Sequence, residues 1–361
     1  MKFIPNITIY ILTLLLVSCN TFNEPVKIGE LNIDIKKPHA LVNHSISSKE
    51  GTSTIVLQSL ISKNLHFFEL KADTILKSYT VKAKNIHFLP FFQLFVKSID
   101  SIVLFNPRSE RLTIVDSTGS IIMEQKLNSG VPTSNPENRF IGFGNSLYLG
   151  NSNEFYNTTI SDERKSYYNT TKPIYEINFQ HSEINITQWG DFPKGYTENN
   201  HDYCNYFANI CPYTSASVLV SFQSDDSLYI YKNGHKIKSV LCNSTYIHEF
   251  TPYPEQKRSD MAYYKDYLMV QPKYINLIHD KYRNQYLRVV KHRINDRSDY
   301  EHMRWSMIIM DNNLTKKDEF IFDYRIHSPE IIICSNDGIY ISKVPSSLEE
   351  TDHLGLDLLT L

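Results

Sequence analysis

The sequence predicts an all-β chain folded as a β-propeller of about six or seven blades, preceded by a lipoprotein signal peptide. Three observations carry this. Asp100 to Leu127, DSIVLFNPRSERLTIVDSTGSIIMEQKL, holds three strand-like runs separated by two tight turns, most of one blade. Weaker copies of that unit recur along the chain. Blade-type repeats run roughly 40–50 residues, so 361 residues accommodate that number with some long loops.

Residues 1–18 stand outside the fold. Lys2 gives a short basic start, and Ile7 to Val17 is nearly all apolar. That run suits a signal peptide and is short for a membrane span. It ends in Leu16-Val17-Ser18-Cys19, which looks like a bacterial lipobox. The resemblance implies cleavage before Cys19 and acylation of its thiol and new amine. An uncleaved anchor, or an ordinary secretory signal with a chance cysteine, is the alternative. Asn20 follows the cysteine rather than Asp, which favours the outer membrane over inner-membrane retention. Glu24 alone is too little acidity to choose between the periplasmic and surface faces. Residues 19–29 read as a tether and residues 30–361 as one propeller domain.

Leu31 to Ile35 alternates apolar and polar residues, as a strand does. Leu354 to Leu358 alternates too, and the two termini are expected to complete one sheet and close the ring. Between them, Leu65–Leu70 and Thr74–Val81 flank a Lys71-Ala72-Asp73 turn. In the 100–127 unit, Asn106-Pro107 breaks the first strand, and Asp116-Ser117-Thr118-Gly119 forms the second turn. Leu228–Tyr231 and His235–Leu241 enclose Asn233-Gly234, the strongest short-range hairpin signal. Further pairs run Met307–Met310 to Thr315–Phe322 and Glu330–Cys334 to Ile339–Lys343.

Composition fits this class. The chain has 12 glycines and 24 tyrosines. Removing residues 1–18 takes one Lys from 37, leaving 36 basic against 39 acidic residues, a net charge of −3. Nothing in that balance calls for nucleic acid. Four cysteines follow Cys19. Cys204 and Cys211 bracket a loop, and a disulfide between them suits an oxidising envelope, although spacing alone does not bring two Cα atoms within about 7 Å. Cys242 and Cys334 lie in apolar strand contexts and read as buried small hydrophobes.

Four stretches resemble one family. They are Phe92 to Ile102, Trp189-Gly190-Asp191-Phe192-Pro193-Lys194-Gly195-Tyr196, Asp225 to Tyr231, and Tyr274 with Ile278 to Arg288 and Trp305 to Ile309. In this order they are similar to the Bacteroidetes lipoproteins of the domain-of-unknown-function 4221 family. The resemblance implies a lipid-anchored, propeller-like protein and no particular activity.

Two segments are candidate sites. The Asp280–Asn284 turn presents Asp280, Tyr282 and Arg283 to a ligand, or else it is a hairpin whose carboxylate holds its own backbone. Gln188 to Tyr213 lacks a clear strand pattern and carries Trp189, Tyr196 and His201. Such a loop grips a glycan or peptide, or simply caps the ring. His292 and His302 sit in a dense charged loop without metal-ligand spacing, so no metal and no cofactor are expected. HExxH, GxSxG and P-loop motifs are absent from the sequence. The expected function is therefore a binding or protein-interaction module with a protein, peptide or glycan partner. The alternative is a carbohydrate-active hydrolase or lyase at the mouth of the ring, since two carboxylates at the right distance leave no sequence signature.

Overall fold

The computed structural model describes residues 25–34, 44–47, 52–59, 64–71, 74–82, 93–98, 100–106, 109–127, 141–143, 146–150, 167–180, 183–197, 202–204, 207–257, 259–345 and 353–361. Among them are six four-stranded antiparallel sheets, the blades of a six-bladed propeller.

The first strand, β1 (Val26–Asp34), belongs to the last blade. Blade 1 is β2 (His44–Ser47), β3 (Ser53–Ser59), β4 (Asn64–Lys71) and β5 (Thr74–Lys82). Blade 2 is β6 (Gln93–Ser98), β7 (Ser101–Asn106), β8 (Arg111–Val115) and β9 (Ile121–Lys126). Blade 3 is β10 (Ile141–Phe143), β11 (Ser146–Gly150), β12 (Ile174–Gln180) and β13 (Glu183–Trp189). Blade 4 is β14 (Ala208–Thr214), β15 (Ser217–Phe222), β16 (Ser227–Lys232) and β17 (His235–Leu241). Blade 5 is β18 (Lys273–Asp280), β19 (Gln285–Lys291), β20 (Arg304–Met310) and β21 (Lys316–Asp323). Blade 6 is β22 (His327–Cys334), β23 (Ile339–Lys343), β24 (His353–Thr360) and, at its outer edge, β1.

The termini close the ring as expected. β1 pairs antiparallel with β24, from Val26 opposite Thr360 to Asp34 opposite His353. The strand begins at Val26, inside the segment read as tether, because Val26, Lys27, Gly29 and Glu30 find ladder partners on β24. First strands of neighbouring blades approach one another around the axis.

Alternation along the middle strands explains their apolar runs. Ile102 and Leu104 enter the core shared by blades 1 and 2, whereas Val103 and Phe105 enter the core shared by blades 2 and 3. Val218 and Val220 likewise face blade 3, and Leu219 faces blade 5. A sheet sandwiched between two sheets buries both faces, so its strands read as continuous hydrophobic segments. Every neighbouring pair of blades shares such a core, including blades 6 and 1. The outermost strands β9 and β17 are mostly exposed.

The turns follow their residue chemistry. Asp116 Oδ1 accepts the backbone N–H groups of Thr118 and Ser120 at 2.9 Å each, and Gly119 takes φ +79°. Asn233 and Gly234 sit at φ +50° and +77°, both in the left-handed region a two-residue hairpin requires. Residues 208–213, expected as loop, are instead most of β14, pairing with β15 from Ala208 opposite Phe222. Asn209 and Pro212 had masked the strand pattern.

Candidate functional site

The Asp280 turn is part of the scaffold. Asp280 is fully buried. Its Oδ1 accepts the backbone N–H groups of Tyr282 and Arg283. Its Oδ2 accepts from Arg283 Nε at 2.5 Å and from Gln285 Nε2 at 3.0 Å. The same guanidinium reaches blade 6, donating to the carbonyls of Ser335 and Gly338 at 3.1 Å each. Tyr282 packs into the blade 5–6 core and lies 3.4 Å from Ser53 Oγ of blade 1. The turn thus has the geometry of the hairpin alternative, its carboxylate holding its own backbone and pairing with Arg283. Each group that would meet a ligand is engaged by the fold, because a buried carboxylate needs its counter-charge close by.

The 188–207 connection divides. Tyr196 is fully buried, and its hydroxyl accepts the Ser224 N–H at 2.9 Å, capping blade 4 from inside. The ring is part of the packing between blades 3 and 4. His201 lies outside the described residues. Cys204 and Cys211 are buried in different clusters and are not bonded to each other: Cys204 packs with Tyr253 and Tyr267, while Cys211 sits on β14 in the blade 4–5 core. The disulfide reading fails here because a ladder position and a capping loop send the two side chains to separate cores.

Two further polar clusters lock the neighbouring junctions. Arg288, fully buried, lies with its guanidinium carbon 3.2 Å from the centre of the Tyr274 ring. It donates to Ser221 Oγ and to the carbonyls of Asp225, Asp226 and Cys242. Tyr274 donates to Asp226 Oδ1 at 2.5 Å. So Asp225–Tyr231, Tyr274 and Arg288, drawn from the stretches that carry the family resemblance, interlock blades 4 and 5. The second cluster has the membership of a Ser–His–Glu triad but the opposite wiring. Ser306 Oγ donates to Glu319 Oε1 at 2.7 Å, so His292 Nε2, 2.9 Å away, donates to the serine rather than taking its proton. Burial pushes His292 down to about 4, and Tyr246 stacks over the ring. Burial alone would raise Glu319, but Lys316, Ser244, Thr245 and Ser306 together hold it below the usual carboxylate range.

Trp189 is the predicted site residue that reaches an opening. At the end of β13 it lines a cleft of about 220 Å³ between blades 3 and 4, with Tyr148 and Glu176 from blade 3 and Tyr231, Asn233 and Gly234 from blade 4. The register assembles it. Tyr148 stands directly opposite Glu176 on the β11–β12 ladder. Glu176 Oε1 accepts from Ser146 Oγ at 2.8 Å and Tyr148 Oη at 3.2 Å, and Oε2 accepts from Trp189 Nε1 at 3.0 Å. Burial, then the Glu176 charge, pushes the Tyr148 hydroxyl up to about 12, so it remains a donor at neutral pH. Tyr148 and Trp189 meet edge-on at 73°, and Trp189 and Tyr231 are tilted at 42°. Gly234 permits the approach: a Cβ there would stand 3.3 Å from Trp189 Cβ. Sequence reasoning missed Tyr148, Glu176 and Tyr231, which read as ordinary strand positions. Only the cross-strand register could have joined them.

Among the described residues, no helix is long and apolar enough to cross a membrane. The family described as Domain of unknown function (DUF4221) matches residues 42–321. A member of that family from Bacteroides vulgatus superposes with a TM-score of 0.72 at 14% identity, covering 93% of this chain and 98% of its own. An exported protein of Bacteroides fragilis, so described provisionally, superposes with a TM-score of 0.51 at 11% identity, covering 94% and 95%. A search of curated proteins returns no match.

Proposed function

The chain belongs to the DUF4221 family, and we propose that it is a cell-envelope binding or protein-interaction module, held to the outer membrane by a lipid on Cys19. The observation that carries this is the division of its polar groups. Asp280, Arg283, Arg288, His292 and Glu319 are consumed in holding blades together. The cleft between blades 3 and 4 instead presents aromatic walls and a carboxylate, the furniture of recognition. Glu176 is the one carboxylate among the described residues lining it, whereas glycoside hydrolysis needs a pair. The lipobox-like Leu16–Cys19 and the exported relative support the envelope address. With β1 starting at Val26, seven residues past Cys19, the tether would reach at most about 25 Å. Blade 6 would then ride close to the bilayer.

The test is co-purification from gently solubilised native membranes with Cys19 intact. A partner at near-stoichiometric amount is expected, and a clean monomer would count against the module. Cys19→Ser is expected to move the protein from the membrane to the soluble fraction; an unchanged membrane fraction would rule out the lipid anchor.

A further inference from the structure

Among the described residues Glu176 has no basic partner. Its three hydrogen-bond donors, Ser146, Tyr148 and Trp189, are all neutral. Among the described residues no Lys or Arg pairs with it, although Lys172 nearby in sequence is committed to Asp191 at 2.6 Å. Three other inward-facing carboxylates are ion-paired. Asp280 has Arg283, Glu319 has Lys316, and Asp357 has Lys27 and His327. A carboxylate oriented by three donors and left without a counter-ion at the wall of a cleft is prepared for a cation from outside.

The surrounding rings point the same way. Tyr148, Trp189 and Tyr231 stand at 73° and 42° to one another, as walls rather than as a flat platform. The negative faces of aromatic rings set at angles around a small space attract an ammonium group. Sugar recognition uses an open ring face instead, and here the Trp189 indole N–H is already bound to Glu176. At about 220 Å³ the cleft is smaller than the roughly 300–1,000 Å³ of sites for drug-sized ligands. It suits one side chain or end group.

The geometry points to this cleft as a binding site for an alkylammonium group, its charge facing Glu176 and its alkyl stem against Trp189 and Tyr231. The group comes either from a lysine side chain of a partner polypeptide or from a free small amine. This rests on the reading of the chain as a binding module and specifies what that module grips.

The test titrates the intact protein with four probes: Nα-acetyl-lysine methylamide, tetramethylammonium, the uncharged isostere Nα-acetyl-norleucine methylamide, and maltotriose. Tryptophan emission reports directly, since the chain has two tryptophans and Trp305 is fully buried. Ligand-observed NMR of the tetramethylammonium protons gives a readout independent of the indole. Both cations are expected to bind saturably, and the isostere and sugar are not. Lysine amide binding more tightly than tetramethylammonium indicates a polypeptide source; the reverse order indicates a free amine. Glu176→Gln is expected to weaken cation binding about tenfold or more. Because that change also disturbs the Trp189 hydrogen bond, Glu176→Asp serves as the companion: it keeps the carboxylate while shortening its reach, and should weaken cation binding less than Glu176→Gln does. Equal binding of the isostere, binding unchanged in Glu176→Gln, or no cation binding at all overturns the assignment. A co-purified partner retained at full strength by Glu176→Gln would overturn it while leaving the module reading intact.

Discussion

Two carboxylates, Asp280 and Glu176, sit in comparable settings with opposite outcomes. Each belongs to a blade's ladder and each has aromatic neighbours. Asp280 is fully buried and takes four donors, one of them a guanidinium that also ties blade 5 to blade 6. Glu176 takes three neutral donors and lines a cleft. The difference lies in the counter-ion. Asp280 has Arg283 beside it, whereas among the described residues Glu176 has no basic partner. A dense charged turn in the sequence therefore marked the joint, and a plain strand position marked the opening.

The strongest way to break this comparison is Arg283→Ala. It strands the Asp280 charge and frees two blade 6 carbonyls, and should cost about 3 kcal/mol in urea unfolding. Asp280→Asn combined with Arg283→Leu should cost less than Arg283→Ala alone, since no uncompensated charge remains. A cost below about 0.5 kcal/mol for Arg283→Ala would remove the scaffold role.

The His292 cluster extends the contrast to pH. The imidazole is held neutral in the fold, at about 4, below the ordinary histidine value of about 6.5. The unfolded chain therefore binds the extra proton first as pH falls. The His292 contribution is complete above about pH 6.5 and is lost progressively toward about pH 4, by roughly 2–3 kcal/mol. His292→Gln should flatten that part of the stability–pH profile; an unaltered slope would contradict the buried neutral ring.

Gly234→Ala probes how the opening is built. The position has φ +77°, and a methyl there presses on Trp189. A loss of about 1–2 kcal/mol is expected, with an altered tryptophan emission spectrum. The smallest effect sharpens the comparison most. Glu176→Gln should change stability by less than about 1 kcal/mol, because no cation is left behind. A loss as large as that of Arg283→Ala would make Glu176 scaffold as well.

Much of the fold was legible because turns and alternation are local. Asp116 to Gly119, Asn233-Gly234 and the alternation at each end of the chain needed only neighbouring residues to be recognised. The candidate site was legible in one residue, Trp189, as an aromatic in a break between strands. Asp280, Tyr282 and Arg283 stayed open between a ligand loop and a hairpin joint because the carbonyls of Ser335 and Gly338 that claim Arg283 lie 52 and 55 residues away. Cys204 and Cys211 read as partners because they are close in the chain, yet they enter separate cores.

By itself the sequence determined the strand-and-turn rhythm of the blades and the strand character of the two ends, since each depends on side-chain periodicity and backbone preference over a few residues. The tertiary structure decided which polar groups are spent and which remain open. A charge is neutralised by what stands beside it in space, and ladder register and blade packing alone put Tyr148 opposite Glu176 and Tyr231 against Trp189.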